Sequence, residues 1–222
     1  MSRCVLLVTL LLCGVARTPA ADWAEFRGPG GKGLYAGKPL PTEWGADKNV
    51  SWKAELPGLG WSSPIAVGGK LFLTTAVPNT VGDPSDYSLR ALCVDQAKGN
   101  IDWDIELFVE KTATVPQPNK KNSHASPTPV SDGKRVWFHF GHMGTACLDL
   151  AGNVLWKTQE LSYDPLHGNG NSPILVDDLL VFAIDGKLVT SLAALDINTG
   201  RCGGTPTANR RRHSSSRSPP AC

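Results

Sequence analysis

Six cysteines are present in this 222-residue chain, but none is adjacent to another or spaced as metal ligands are, so the spacing points to no structural metal. Cys4 and Cys13 fall in an N-terminal apolar stretch, and Cys202 and Cys222 lie in the C-terminal tail. That leaves Cys93 and Cys147, which hold equivalent places in successive repeats and are expected to be buried free thiols. No apolar run is long enough for a comfortable membrane span, since the longest stretch is Val5 to Val15. With Arg3 before it and Thr18-Pro19-Ala20 after it, residues 1–20 read as a secretory signal. The mature chain is therefore expected to be exported, to the periplasm or the extracellular space, and to carry no transmembrane segment. Basic charge is also scarce in the body of the chain. Of 22 Lys and Arg, two sit in the signal and five follow Gly200, which leaves 15 against 20 acidic residues, a net of −5. Nothing here suggests a nucleic-acid groove. From Arg201 to Cys222 there is no Val, Ile, Leu, Met, Phe, Trp or Tyr. Residues 204–222 are thus expected to be a disordered tail, and residues 21–203 to hold the fold.

What is present is a repeat. Ser63-Pro64 leads to Asp95, Gly99 and Trp103; Ser126-Pro127 leads to Asp149, Gly152 and Trp156; Ser172-Pro173 leads to Asp196 and Gly200. Successive Asp residues are 54 and 47 apart, and the two Trp residues are 53 apart. Periods of that size belong to solenoids and propeller blades.

Within each copy the pattern is strand-like. Ile65 to Val67, a Gly68-Gly69 turn and Leu71 to Thr74 read as a hairpin, because β-branched and aromatic residues flank the glycines. Copy two repeats this with Pro129-Val130, Asp132-Gly133 and Arg135 to Phe140, and copy three with Ile174 to Val176, Asp177-Asp178 and Leu179 to Phe182. A second hairpin follows each, as Leu92-Cys93-Val94, Cys147-Leu148 and Ala194-Leu195 enter turns that Gly99, Gly152 and Gly200 leave. Four strands per copy make a blade, so the fold class is all-β, a partial, open β-propeller of three four-stranded blades. At the turns, Asp accepts hydrogen bonds from the backbone N–H groups ahead of it and Gly supplies positive φ. Trp103 and Trp156 then fall on outer strands, where a large ring fills the wedge between blades.

Copy three breaks where its Trp belongs, because Gly200 is followed four residues on by Gly204. Cys202-Gly203-Gly204 is compatible with TGC-GGT-GGN, and the neighbouring frame of those bases reads TGG at the position of the missing Trp. A reading-frame shift near codon 202 is the expectation, and resequencing the gene through codon 204 tests it.

Ala194-Leu195-Asp196-Ile197-Asn198-Thr199-Gly200 resembles the A-x-D-x-x-T-G part of the tryptophan-docking repeat of pyrroloquinoline-quinone (PQQ) type propellers. Asp95 to Trp103 and Asp149 to Trp156 look like variants of it, and Trp23 to Pro29, with Gly33 beyond, looks like the W-x-x-F-R-G-P opening of exported bacterial PQQ-like proteins. The resemblance implies a closed ring of seven or eight blades, of which this chain supplies three. It also places Asn49 to Lys53 as an outer strand with Trp52 in the docking place, 51 residues before Trp103, awaiting a partner that a missing C-terminal half would supply. In one branch of the family, the quinoprotein alcohol dehydrogenases, the ring holds PQQ and calcium beside a pair of adjacent cysteines, a pair this sequence lacks. In the other, represented by the assembly factor BamB, a cofactor-free ring holds other proteins. The expected function is a non-catalytic, protein-binding scaffold with no evident cofactor; the alternative is a fragment of a PQQ-dependent dehydrogenase.

No catalytic residue is assigned from the sequence. His124, His142, His167 and Asn171, with Asn122 and Asn169, gather near the starts of copies two and three and are the candidates for lining a ligand or cofactor site. His139, in the alternating run Val136 to Phe140, reads as a strand residue satisfied in place. Lys120-Lys121 reads as a solvated loop face, and Phe108 to Ser123, with Pro116 and Pro118, as an insertion between blades.

Overall fold

The computed structural model describes residues 22–79, 86–111, 122–161 and 163–202. Eleven strands form three antiparallel sheets among them. The first contains β1 (Ile65–Val67), β2 (Lys70–Pro78), β3 (Tyr87–Asp95) and β4 (Ile101–Glu110) in that order. The second contains β5 (Val130–Ser131), β6 (Arg135–His139), β7 (Thr145–Asp149) and β8 (Val154–Thr158); the third contains β9 (Ile174–Val176), β10 (Leu179–Asp185) and β11 (Thr190–Asp196). Sequence order equals spatial order in every sheet, which is the meander of a propeller blade. The protein is a partial propeller of the all-β class.

The blades pack face to face in chain order. Because side chains alternate across a strand, Ile65, Val67, Phe72, Ala91 and Cys93 of blade one meet Val136, Phe138, Phe140, Ala146 and Leu148 of blade two in one buried cluster. Val130, Trp137 and Cys147, from the opposite face of blade two, meet Leu180, Phe182, Ile184, Ala193 and Leu195 of blade three in a second. Each blade thus has one face for the blade before it and one for the blade after it.

Four details depart from the sequence reading. Blade three shows three strands among the described residues rather than four. Beyond β11, Cys202 forms an isolated bridge to Leu195 in the register of Ile101 on Val94 and Val154 on Leu148. Position 204, where Trp103 and Trp156 have their counterpart, lies outside the described residues, as do the signal, the tail and Lys120-Lys121.

Second, Ser126-Pro127 is not the register partner of the other two Ser-Pro pairs. Val130 faces Trp137 as Ile65 faces Phe72 and Ile174 faces Val181, so the equivalents of Ser63 and Ser172 fall on Thr128. A hydroxyl and not the dipeptide is what recurs. Ser63 N–H donates to Thr128 Oγ1 at 3.0 Å and Thr128 N–H donates to Ser172 Oγ at 3.0 Å, linking the inner edges of successive blades.

Third, the expected insertion at Phe108 starts later. β4 runs on to Glu110, pairing Leu89 with Phe108 and Tyr87 with Glu110 after a bulge at Leu89/Arg90. Fourth, Trp52 is in the expected docking place but finds its docking partner within the chain. Its indole N–H donates to Gln96 O at 2.9 Å in the turn of blade one, although the segment around it pairs with no strand among the described residues.

Candidate functional site

Three docked tryptophans fix the blades, and they follow one rule. The indole N–H donates to the carbonyl of the residue after the turn's Asp: Trp52 to Gln96 O at 2.9 Å, Trp103 to Leu150 O at 3.3 Å, and Trp156 to Ile197 O at 2.9 Å. The ring lies over the turn's glycine. A Cβ built on Gly99 or Gly200 would stand 2.5 Å from the ring of Trp52 or Trp156, and one on Gly152 would stand 3.2 Å from Trp103 and 2.8 Å from Ile105. All three glycines have positive φ, 77°, 95° and 70°. Each Asp closes its own turn: Asp95 Oδ1 accepts the N–H groups of Ala97 and Lys98 at 3.0 and 2.9 Å, Asp149 Oδ1 those of Ala151 and Asn153, and Asp196 Oδ1 those of Asn198 and Thr199. These bonds favour the ionised form. The Asp95 carboxyl is held below its usual range first by Lys70, that of Asp149 by the Asn153 side chain, and that of Asp196 by the Thr199 hydroxyl. The repeat residues are therefore committed to architecture. Cys93 and Cys147 face Trp103 and Trp156 across the ladder, both buried and free, with burial pushing each thiol up to about 12.

The polar candidates divide into a pair of shielded histidines, His124 buried and His142 half-buried, and an open cleft. After β6 the chain turns through Gly141–Met143, and Asn169 fills the space that a Cβ on Gly141 would need. Asn169 is buried; its Nδ2 donates to Phe140 O at 3.2 Å and lies 2.8 Å from His142 Nδ1, while its Oδ1 accepts the Tyr163 hydroxyl at 2.9 Å. An amide donor at Nδ1 leaves the His142 proton on Nε2. That Nε2 is buried without a partner, as is Nε2 of His124, whose ring lies 4.8 Å from Tyr87. Burial is the main cause that lowers both imidazoles below their usual range, and the neighbouring His142 further disfavours charge on His124. His139 is satisfied in place, with Nδ1 2.8 Å from Thr145 Oγ1 and its ring 4.0 Å from Phe182.

His167 and Asn171 are exposed and stand apart from this pair. With Asn122, Asn169, Tyr163, Asp185 and Lys187 they line a cleft of about 370 Å³ between the starts of blades two and three. Asn122 Nδ2 donates to His167 O at 3.0 Å, Asn171 Nδ2 to Ala183 O at 3.3 Å, and Lys187 pairs with Asp164 at 2.8 Å. Tyr163, Asp185 and Lys187 were missed by sequence reasoning, because no spacing links a blade-three hairpin to the loop before it. Also missed was the role of the opening segment. Trp23 and Ala66 exchange two backbone bonds of 2.7 and 3.0 Å, and Ala24 O accepts Ser131 N–H at 2.8 Å, so that segment ties blade one to blade two.

The amides and the ion pair of the cleft suit hydrogen bonding to a polar chain. Calcium takes six to eight oxygen ligands. Here the unpartnered buried atoms are imidazole nitrogens, Asn169 Oδ1 is held by Tyr163 and the Asp164 carboxylate by Lys187. Among the described residues no three His, Cys, Asp or Glu side chains come together for a metal ion.

Blades joined by a ring-on-glycine contact, with the indole bonded to the turn, define a tryptophan-docked propeller. A family model described as outer membrane protein assembly factor BamB matches residues 29–221, and the chain belongs to that family. Among solved structures, a europium-containing methanol dehydrogenase is similar at 20% identity and a TM-score of 0.44, covering 63% of this chain and 23% of the other. BamB from Moraxella catarrhalis is similar at 18% identity and a TM-score of 0.44, covering 70% of this chain and 39% of the other. The chain thus spans well under half of either protein. No curated protein matches it.

Proposed function

We propose that this chain is an exported, non-catalytic propeller segment that holds other proteins. The observation that carries the reading is a run of large apolar side chains left in solvent before β1. Leu34, Tyr35, Leu40, Trp44, Leu59 and Trp61 are all more than half exposed. Exposed apolar surface of this kind marks protein contact, and aromatic residues lead at the centres of such contacts. The Trp61 backbone is anchored, since its main-chain N–H donates to Ala125 O at 3.0 Å and so ties the segment before β1 to the one before β5. Membership of a family described by outer membrane protein assembly supports a protein partner. No helix among the described residues is long and apolar enough to cross a membrane.

A photoreactive amino acid placed at Trp61 in the exported protein tests this. The expected result is a covalent adduct with an outer-membrane assembly protein, and no adduct when the probe replaces exposed Lys53. Quinone absorbance and dye-linked alcohol oxidation after loading with PQQ and calcium would instead favour the dehydrogenase reading and sink the scaffold.

A further inference from the structure

The loop between blades two and three depends on one buried side chain. In His167-Gly168-Asn169-Gly170-Asn171 the asparagine at 169 stands between two glycines, so the backbone there has little stiffness of its own. Among the described residues no main-chain N–H from Leu166 to Asn171 donates to another main-chain group. Side chains hold the loop instead. Asn122 Nδ2 donates to His167 O at 3.0 Å and Asn171 Nδ2 to Ala183 O at 3.3 Å, both at exposed positions. Asn169 alone among the three amides is buried, and it lies so close on Gly141 that a Cβ built there would stand 1.9 Å from its Cγ.

The direction of the Asn169 amide is fixed by its neighbours. Phe140 O can only accept, so the group 3.2 Å from it is the NH2. The same NH2 lies 2.8 Å from His142 Nδ1, and Oδ1 accepts the Tyr163 hydroxyl at 2.9 Å. His142 Nδ1 must therefore be a bare acceptor, which only the neutral imidazole offers. Protonation sets donor against donor at that contact. Turning the amide over gives no relief, because Oδ1 would then face Phe140 O.

The groups around the His142 ring supply little to hold a charge in place. His124 from the segment before β5 and His139 of β6 are themselves basic and electrostatically coupled to it. Tyr87 of β3 lies behind His124, with the rings 4.8 Å apart. The ring of Tyr163 stands edge-on at 5.6 Å, with Asp185 of β10 acting on that phenol. Asp164 is the carboxylate that favours a charged His142, and it is already paired with Lys187 of the β10–β11 turn at 2.8 Å.

We infer that His142 and Asn169 form a proton-operated latch: neutral His142 holds Asn169 and with it residues 163–171, one wall of the cleft of about 370 Å³, and protonated His142 lets that wall go. The latch needs the neutral ring, so the closed form is favoured above the ordinary imidazole range. Below about pH 6.5 the released form gains up to about tenfold for each pH unit. The exposed bonds of Asn122 and Asn171 then remain as tethers. This behaviour does not depend on what the cleft takes.

Histidine side-chain proton–nitrogen correlation spectra of the 222-residue protein, titrated from about pH 7.5 to about 5, test the latch across the imidazole range. At the upper end His142 should carry its proton on Nε2. On acidification the Asn169 side-chain amide and the backbone amides of 166–171 should shift with the same midpoint as the His142 ring, while the amides of β6 and β7 hold still. In His142→Gln, whose side-chain oxygen accepts from Asn169 without titrating, the response of 166–171 should vanish; should that variant not fold, the wild-type titration decides alone. A proton on Nδ1 at neutral pH would overturn the inference. So would loop shifts that do not follow the His142 midpoint, a response that survives in folded His142→Gln, or β6 and β7 amides moving with the loop, which would mean acid unfolding of the blade.

Discussion

At the scale of single residues, the docking contact joins two requirements at one atom. Gly99 and Gly200 must adopt positive φ, and each must also lack a Cβ because an indole occupies its place. An alanine there meets the left-handed penalty of about 1 to 2 kcal/mol and an overpacking cost of about 1 to 3 kcal/mol. Gly68→Ala meets only the first, since nothing lies within 4 Å of a Cβ at that position. Urea midpoints should therefore fall clearly further for Gly200→Ala than for Gly68→Ala; equal losses would mean that the ring contact contributes nothing. Trp156→Ala should destabilise by about 3 to 5 kcal/mol, and Trp156→Phe by less, because only the N–H to Ile197 O and part of the ring are lost. His139 makes a pH prediction. Burial lowers its pKa from 6.5 to about 3. The unfolded chain then takes up a proton first as pH drops, so the stability is fully present above pH 6.5 and is lost between 6.5 and about 3. The slope is about 1.4 kcal/mol per pH unit from this residue alone. Urea unfolding of His139→Gln between pH 7 and 5 should show a shallower decline than wild type.

At the scale of elements, most of what the sequence offered was strand identity. The hairpins centred on Gly68-Gly69, Asp132-Gly133 and Asp177-Asp178 form where turn residues interrupt β-branched runs. What could not be read was register. Ser126-Pro127 copies the letters of Ser63-Pro64, yet Thr128 occupies its place, because register follows ladder partners and the turn rather than a dipeptide. The end of β4 escaped for a similar reason, since a bulge at Leu89/Arg90 carries the strand past Phe108 to Glu110. Glu110 ends that strand buried, and burial raises its carboxyl to about 7. A raised pKa means that the fold favours the protonated form. Its contribution is intact below pH 4.5 and is lost as pH rises through about 7. Glu110→Gln should thus be close to neutral at pH 4 and stabilising at pH 8, which thermal melts at the two pH values would show; an equal effect at both would remove the role assigned to burial.

At the scale of the molecule, the arrangement is nearly one-dimensional, each blade touching only its neighbours, so stability should follow position in the array. Among the described residues, blade two is covered on both faces and blade three on one. In hydrogen exchange at low protein concentration, amides of β6 and β7 should be the slowest and those of β9 and β11 among the fastest. Uniform protection across the three blades would contradict this.

The sequence by itself determined the β class, the blade count and the docking residues, because Asp, Gly and Trp at fixed offsets act through local turn geometry and one neighbouring contact. Only the tertiary structure decided that Trp52 is seated on the turn of blade one, that Thr128 links the inner edges, and that the buried His124 and half-buried His142 stand apart from the exposed His167 and Asn171. Those are relations between segments separated by tens of residues, and the distance between such segments is set by how the blades pack, a quantity that no local pattern encodes.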